Sequence, residues 1–283
     1  MTLAHRRLLL GATALALSGC SATQALDVLV PRGTYRSEDG IAYGEDPRQR
    51  LDIYRPLAAE PGAPLVVFFY GGAWTRGSRA DYRFVGEALA SAGIVTVVPD
   101  YRLSPQVRWT AILEDCAAAT QWAAHNADRL GAARKRLHLV GHSAGAYNAS
   151  MLALDARWLG RQQMSPRDVA GWVGLAGPYN FLPIKDADSQ RAFDWPDTPP
   201  DSQPVAHVSA QAPRTLLLAT RDDRTVDPMR NSVVLAERLR QAGASARLEF
   251  LEGVNHVTIV GALATPLRGL APVRSEVTGF VRG

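Results

Sequence analysis

The chain has 283 residues, 47% of them hydrophobic and 20% charged, with a formal net charge of +4. That is enough apolar material for one sizeable core, and no internal repeat or low-complexity run suggests a repeat or disordered architecture. The basic balance does not mark a nucleic-acid binder, because no basic run is interleaved with aromatics. Cysteines and histidines lack metal-ligand spacing and no Gly-rich phosphate loop is present, so neither a metal nor a cofactor is expected.

At the N-terminus, His5-Arg6-Arg7 precede an apolar stretch over 8–17 that is too short to span a bilayer. Positive residues, a short apolar core and then small residues make a secretory signal over 1–19. It ends in Leu17-Ser18-Gly19-Cys20, which resembles a bacterial lipoprotein box, with lipidation at Cys20. An ordinary cleaved signal with an incidental Cys20 is the competing reading. The expectation is an exported envelope protein held on the membrane by an N-terminal lipid anchor and facing the periplasm, with 20–33 as a tether and 34–283 as the folded domain. Removing 1–19 leaves 29 basic and 27 acidic residues, a net charge of +2. Cys116 then stands alone, and is expected to pack as a small buried hydrophobe on a helix.

Within the domain, 33–44 and 49–54 alternate like an antiparallel pair at a sheet edge. Continuous apolar runs at 65–69, 94–98, 137–140, 169–175, 215–219 and 246–251 then alternate with helical stretches. Such runs belong to parallel strands covered on both faces. After the third of them comes Gly141-His142-Ser143-Ala144-Gly145, a G-x-S-x-G pattern between a strand and a helix opening at Ala144. A serine on so sharp a turn needs small neighbours, and the turn holds its hydroxyl clear of the sheet. A hydroxyl is a poor nucleophile unless a histidine takes its proton and a carboxylate orients that histidine. Both follow in chain order, just past strand ends: Asp222-Asp223-Arg224-Thr225-Val226-Asp227-Pro228, and then Glu252-Gly253-Val254-Asn255-His256.

These motifs resemble those of the α/β-hydrolases, and among them the serine carboxylesterases of the hormone-sensitive-lipase-like and feruloyl/acetyl-esterase-like branches. Four blocks between Tyr70 and His256 carry the resemblance: Tyr70-Gly71-Gly72-Ala73-Trp74, Asp100-Tyr101-Arg102-Leu103-Ser104-Pro105, the serine turn, and the Asp223 and His256 loops. It implies an α/β-hydrolase fold and hydrolysis of a small-molecule carboxylic ester through Ser143, His256 and Asp223. It also implies an oxyanion hole from the N–H groups of Gly72, Ala73 and Ala144. Tyr70 stands where the family usually has His, which leaves the hydrogen bonding of that loop open. Family spacing selects Asp223 as the acid, with Asp227 second, since Asp227 also suits a cap for the helix near Pro228. Amide or formamide hydrolysis on the same machinery, and a non-catalytic binding lipoprotein, are the alternatives.

Other residues have plainer readings. His142 neighbours Ser143 and is expected in a packing or pocket role, His138 buried and hydrogen-bonded, His125 solvated, and His207 at a rim. Arg102 suits an ion pair with Glu114 or Asp115. Trp74, Trp172 and Trp195 are candidates for an acyl pocket, each read first as a core or lid residue. The Pro-interrupted stretch 178–213 is either a short cap, implying short-chain or compact aromatic acyl esters, or a plain surface excursion.

Overall fold

The computed structural model describes residues 26–283, apart from Val28 and Ala59. Eight strands form one sheet: β1 (Tyr35–Ala42), β2 (Arg50–Pro56), β3 (Ala63–Phe69), β4 (Val95–Pro99), β5 (Ala132–His142), β6 (Gly171–Leu175), β7 (Arg214–Ala219) and β8 (Ala246–Phe250). Their order is β1-β2-β4-β3-β5-β6-β7-β8. The β1–β2 and β2–β4 pairs are antiparallel and all the others parallel. Burial follows composition. In β3 (APLVVFF) every residue is buried, as expected of a strand covered on both faces, whereas β8 (ARLEF) is only half-buried at the edge. Charged Arg247 and Glu249 on β8 keep that edge from pairing with another chain.

The larger helices are α1 (Arg83–Ala90), α2 (Trp109–His125), α3 (Ala144–Leu154), α4 (Ala187–Ala192), α5 (Val234–Gln241) and α6 (Val273–Arg282). Every residue of α3 (AGAYNASMLAL) is buried, and its run of small side chains lets it approach the sheet closely behind β5. Cys116 is buried on α2, as its composition suggested.

Two parts of the chain bear on the sequence reading. Leu26 and Asp27, assigned to the tether, are docked on the domain: Asp27 Oδ1 accepts a hydrogen bond from the Phe84 N–H, and Leu26 packs on the core. The tether reading is left with residues 20–25, which lie outside the described residues together with the signal and Cys20. The stretch 178–213 packs against the core. It holds α4, capped by the Asp186 side chain, and two short turns, Pro200–Ser202 and Pro204–Ala206. Phe181 and Phe193 of this stretch pack against Trp74 and Tyr147, with the Trp74 and Phe193 ring centroids 4.7 Å apart. Gln203 Oε1 of the same stretch and Asn231 Oδ1 accept the N–H groups of Phe181 and Tyr179, so its irregular backbone is satisfied there by side chains.

Candidate active site

The functional candidates lie on the loops that leave the carboxyl ends of β3, β5, β7 and β8, the rim where open parallel sheets place ligands. Ser143 follows β5 with φ 53° and ψ −122°, a strained conformation that holds its hydroxyl off the sheet. The glycines around it are steric necessities. A Cβ at Gly141 would meet the Gly145 carbonyl oxygen at 2.1 Å, and one at Gly145 the Phe69 carbonyl oxygen at 2.0 Å. Backbone bonds from Ser143 N to Leu175 O and from Ala176 N to Leu218 O tie this turn across β6 to β7.

Two other loops bring Asp223 and His256 to it. Asp223 Oδ1 accepts the N–H groups of Thr225 and Val226, at 2.8 and 2.9 Å, which leaves Oδ2 facing His256. His256 Nδ1 lies 2.7 Å from that Oδ2, and its Nε2 lies 2.9 Å from Ser143 Oγ. The carboxylate only accepts, so Nδ1 carries the proton and Nε2 is free to accept from the serine hydroxyl. Burial alone would raise the Asp223 pKa, but the bonds from His256, Val226 and Thr225 outweigh it and hold the carboxyl below its ordinary value. The His256 loop is tied to β7 by the Thr220 hydroxyl, which donates to Val254 O, and is closed by the Asn255 carboxamide, which accepts from the Val257 and Thr258 N–H groups.

The competing acids go elsewhere. Asp222 is exposed, and Asp227 accepts from the N–H groups of Met229 and Arg230 as a helix cap.

The loop after β3 supplies the third wall. Gly72, Ala73 and Trp74 all have positive φ, and the N–H groups of Thr75 and Arg76 both return to Gly72 O. Ala73 and Ala144 border the same cleft as Ser143, and Gly72 sits one residue behind. Among the described residues, no backbone carbonyl takes the N–H of Gly72, Ala73 or Ala144.

Tyr70 resolves the open question of this loop. Its hydroxyl donates to Asp100 Oδ1 at 2.7 Å and accepts from Arg48 Nη2 at 2.9 Å, while its ring stacks on Tyr82 and Tyr101. Burial pushes the phenol well above its ordinary pKa, so it remains a donor. Arg48 reaches on to Gly77 O, and Arg79 joins Asp100 to Asp52, so the loop rests on a buried ionic network. Sequence reading missed Arg48 and Arg79 as supports, because their partners lie 21 or more positions away along the chain.

The cleft over Ser143 encloses about 560 Å³. Trp74, Pro178, Phe181 and Ile184 give it an apolar wall, and Lys185, Arg224 and Arg230 sit at its polar side. Trp74 is thus the one candidate tryptophan in the cleft wall, with its Nε1 donating to Asn148. Trp172 is fully buried in the core and Trp195 is exposed. Arg102 pairs with Asp115 at 2.7 Å, and Glu114 pairs instead with Arg161. His138 is buried with Nδ1 2.9 Å from Arg136 O, His125 is exposed, and His207 is half-buried beside Asp201 O. A second cavity of about 500 Å³ is bordered by Asp27, Tyr35, Ser37 and Arg83.

The sequence matches the BD-FAE family over residues 51–239, two thirds of the chain. It is 30% identical to the probable isoprenylcysteine alpha-carbonyl methylesterase ICME of Oryza sativa subsp. japonica, over 81% of this chain and 59% of that one. It is also 30% identical to esterase LipC of Mycobacterium tuberculosis, over 76% of this chain and 58% of that one. The chain therefore spans just over half the length of these relatives. The hyperthermophilic esterase of the archaeon Pyrobaculum calidifontis superposes with a TM-score of 0.75 at 24% identity, covering 92% of this chain and 89% of its own, which shows a common fold. The strand order, the strained serine turn and the family match together make this chain a member of the BD-FAE family with an α/β-hydrolase fold.

Proposed function

We propose that the protein hydrolyses carboxylic esters of small molecules through Ser143, His256 and Asp223. The observation that carries this reading is the continuous array from Asp223 Oδ2 through His256 to Ser143 Oγ, opening on a cleft beside the N–H groups of Ala73 and Ala144. Ser143 Oγ attacks the ester carbonyl carbon while its proton passes to His256 Nε2. Negative charge on the former carbonyl oxygen is met by the N–H groups of Gly72, Ala73 and Ala144. Donors fixed before the charge develops contribute about 3–4 kcal/mol each by mutational precedent. His256 then protonates the departing alcohol, and water, activated by the same imidazole, releases the acid from Ser143. Asp223 keeps the imidazole in the required tautomer and stabilises it when charged.

The cap restricts the acyl side. Phe181 and Phe193 are packed on Trp74 and Tyr147 rather than splayed open, and the apolar wall is short, so the reading favours short-chain or compact aromatic acyl groups. Labelling by a fluorophosphonate probe tests the reaction class: wild type is labelled, Ser143→Ala is not, and a folded wild type that resists the probe refutes it. A kcat/KM that rises steadily from four-carbon to sixteen-carbon acyl esters refutes the size preference.

We also propose the lipid anchor at Cys20, on the strength of Arg6-Arg7, the apolar core and Leu17-Ser18-Gly19-Cys20. Mass spectrometry of the mature N-terminus tests it, and an unmodified N-terminus on soluble periplasmic protein refutes it.

A further inference from the structure

We propose that His142 is a positioning residue, a neutral imidazole protonated on Nε2 that clamps the His256 loop to the serine turn. The proposal rests on His256 being the general base. His142 ends β5, next to Ser143, and is buried at 6% exposure. Its Nε2 lies 2.7 Å from the main-chain carbonyl oxygen of His256, and the two rings sit 5.3 Å apart at 45°. A carbonyl oxygen only accepts, so the proton of His142 is on Nε2.

The opposite nitrogen, Nδ1, is buried and meets no acceptor that would draw the proton to it, among the described residues. Gly71 of the loop after β3 lies over it so closely that a Cβ there would stand 3.1 Å from Nδ1 and 2.9 Å from Ser143 Cβ. A second proton on this ring would leave an unanswered buried charge beside His256, which itself becomes cationic during turnover. His142 is thus wedged between the loop that carries the N–H donors and the loop that carries the base.

The other ties of the His256 loop act on its neighbours. Thr220 holds Val254, and Asn255 with Thr258 closes a local turn. The hydrogen bond from His142 ends on His256 itself. A filler of equal volume would satisfy packing without leaving Nδ1 unpartnered, so the imidazole is retained for the bond that Nε2 makes. Losing it frees the peptide after His256 and lets the imidazole drift from Ser143, and a shift of about 1 Å between reacting groups costs about 100-fold in rate.

The test uses His142→Phe, which keeps the ring and removes the donor, and His142→Gln, which keeps a donor at similar reach. On a short-chain ester, His142→Phe is expected to lower kcat by about 10- to 100-fold with KM within about threefold, and His142→Gln to recover most of that loss. A folded His142→Phe with wild-type kcat overturns the proposal, as does a His142→Gln no better than His142→Phe. Long-range proton–nitrogen NMR of the wild-type protein at neutral pH is the readout that needs neither folded variants nor ester turnover. It is expected to show His142 protonated on Nε2 alone, and a proton on Nδ1 overturns the proposal. Should the tautomer be as expected while Ser143→Ala still hydrolyses the ester, the reaction assigned to the site has failed and the clamp has not.

Discussion

The two halves of the site are built in different ways. The nucleophile half is held by long-range sterics: a strained Ser143 between β5 and α3, with Gly141 and Gly145 pressed against backbone from elsewhere in the fold. The half that carries Asp223 and His256 is held chiefly by local hydrogen bonds, with the Thr220 hydroxyl on Val254 O as a longer tie. Asp223 accepts from Thr225 and Val226, and Asn255 from Val257 and Thr258, each within three residues. The first half has almost no freedom to move or to vary in sequence. The second is two short loops, each pinned by a side chain that accepts from its own backbone, and joined to the first half by His256 and His142. Geometry that needs sub-ångström placement is thus set rigidly for the attacking oxygen and adjustably for the proton carrier.

The largest expected effects come from breaking each half at its chemical group. Ser143→Ala is expected to lower kcat by about 10⁶-fold with the fold intact, since triad members act as a unit; ester turnover by the purified, folded variant at a wild-type rate would count against the whole assignment. On the other side, Asp223→Asn is expected to cost about 10⁴-fold, because an amide at that position favours the wrong imidazole tautomer. Asp227→Asn, four positions further on, should leave kcat within a few fold, because Asp227 only caps the helix and an Asn caps nearly as well. If Asp227→Asn proves the crippling change, the two aspartates have been misassigned.

Smaller effects sharpen the contrast in rigidity. Gly145→Ala pushes a methyl to 2.0 Å from the Phe69 carbonyl oxygen, where only the backbone could yield. We expect a loss of about 3 kcal/mol or more, at the upper end for overpacking. Gly253→Ala, in the His256 loop, meets the Leu270 carbonyl oxygen at 2.8 Å with φ at +77°. The loop can adjust, so we expect about 1–2 kcal/mol from backbone strain together with reduced kcat. Urea unfolding of both variants decides between these magnitudes, and equal losses would erase the distinction between a rigid and an adjustable half.

The same contrast explains what could be read from the chain. The central strands were legible because burial on both faces demands unbroken apolar runs, and the serine turn because its sterics demand Gly141 and Gly145. The acid loop was less so: Asp222, Asp223 and Asp227 are chemically alike, and only the direction of the carboxylate separates a partner of His256 from a helix cap. Tyr70 was readable as a departure from the usual His but not as a keystone, since Arg48 and Asp100 come to it from distant segments. The docking of Asp27 was invisible for a similar reason, its partner being the Phe84 N–H. His142 is readable as a packing or pocket residue but not as a partner of His256, because that contact spans 114 positions.

The most general predicted effect is acid lability seated in the buried imidazoles. Burial lowers the pKa of His142 to about 3 and of His138 to about 4, from an ordinary value of 6.5. Both rings are therefore neutral in the folded chain at a pH where the unfolded chain already protonates them. Their contribution to stability is whole above pH 6.5 and is lost as pH falls towards 4 for His138 and 3 for His142. Between pH 7 and 5 each should remove about 2 kcal/mol. Asp223, held below its ordinary value, adds to the loss only at lower pH. Asp27, raised to about 6 by burial, works the other way, since its protonated form favours the folded state and that contribution fades as pH rises through 6. Urea unfolding at pH 7 and pH 5 should thus show a fall of about 4 kcal/mol, less the smaller return from Asp27. His138→Asn, which keeps a donor for Arg136 O and cannot be protonated, should roughly halve the fall without touching ester turnover. An unchanged pH dependence in that variant would show that the titrating groups lie elsewhere.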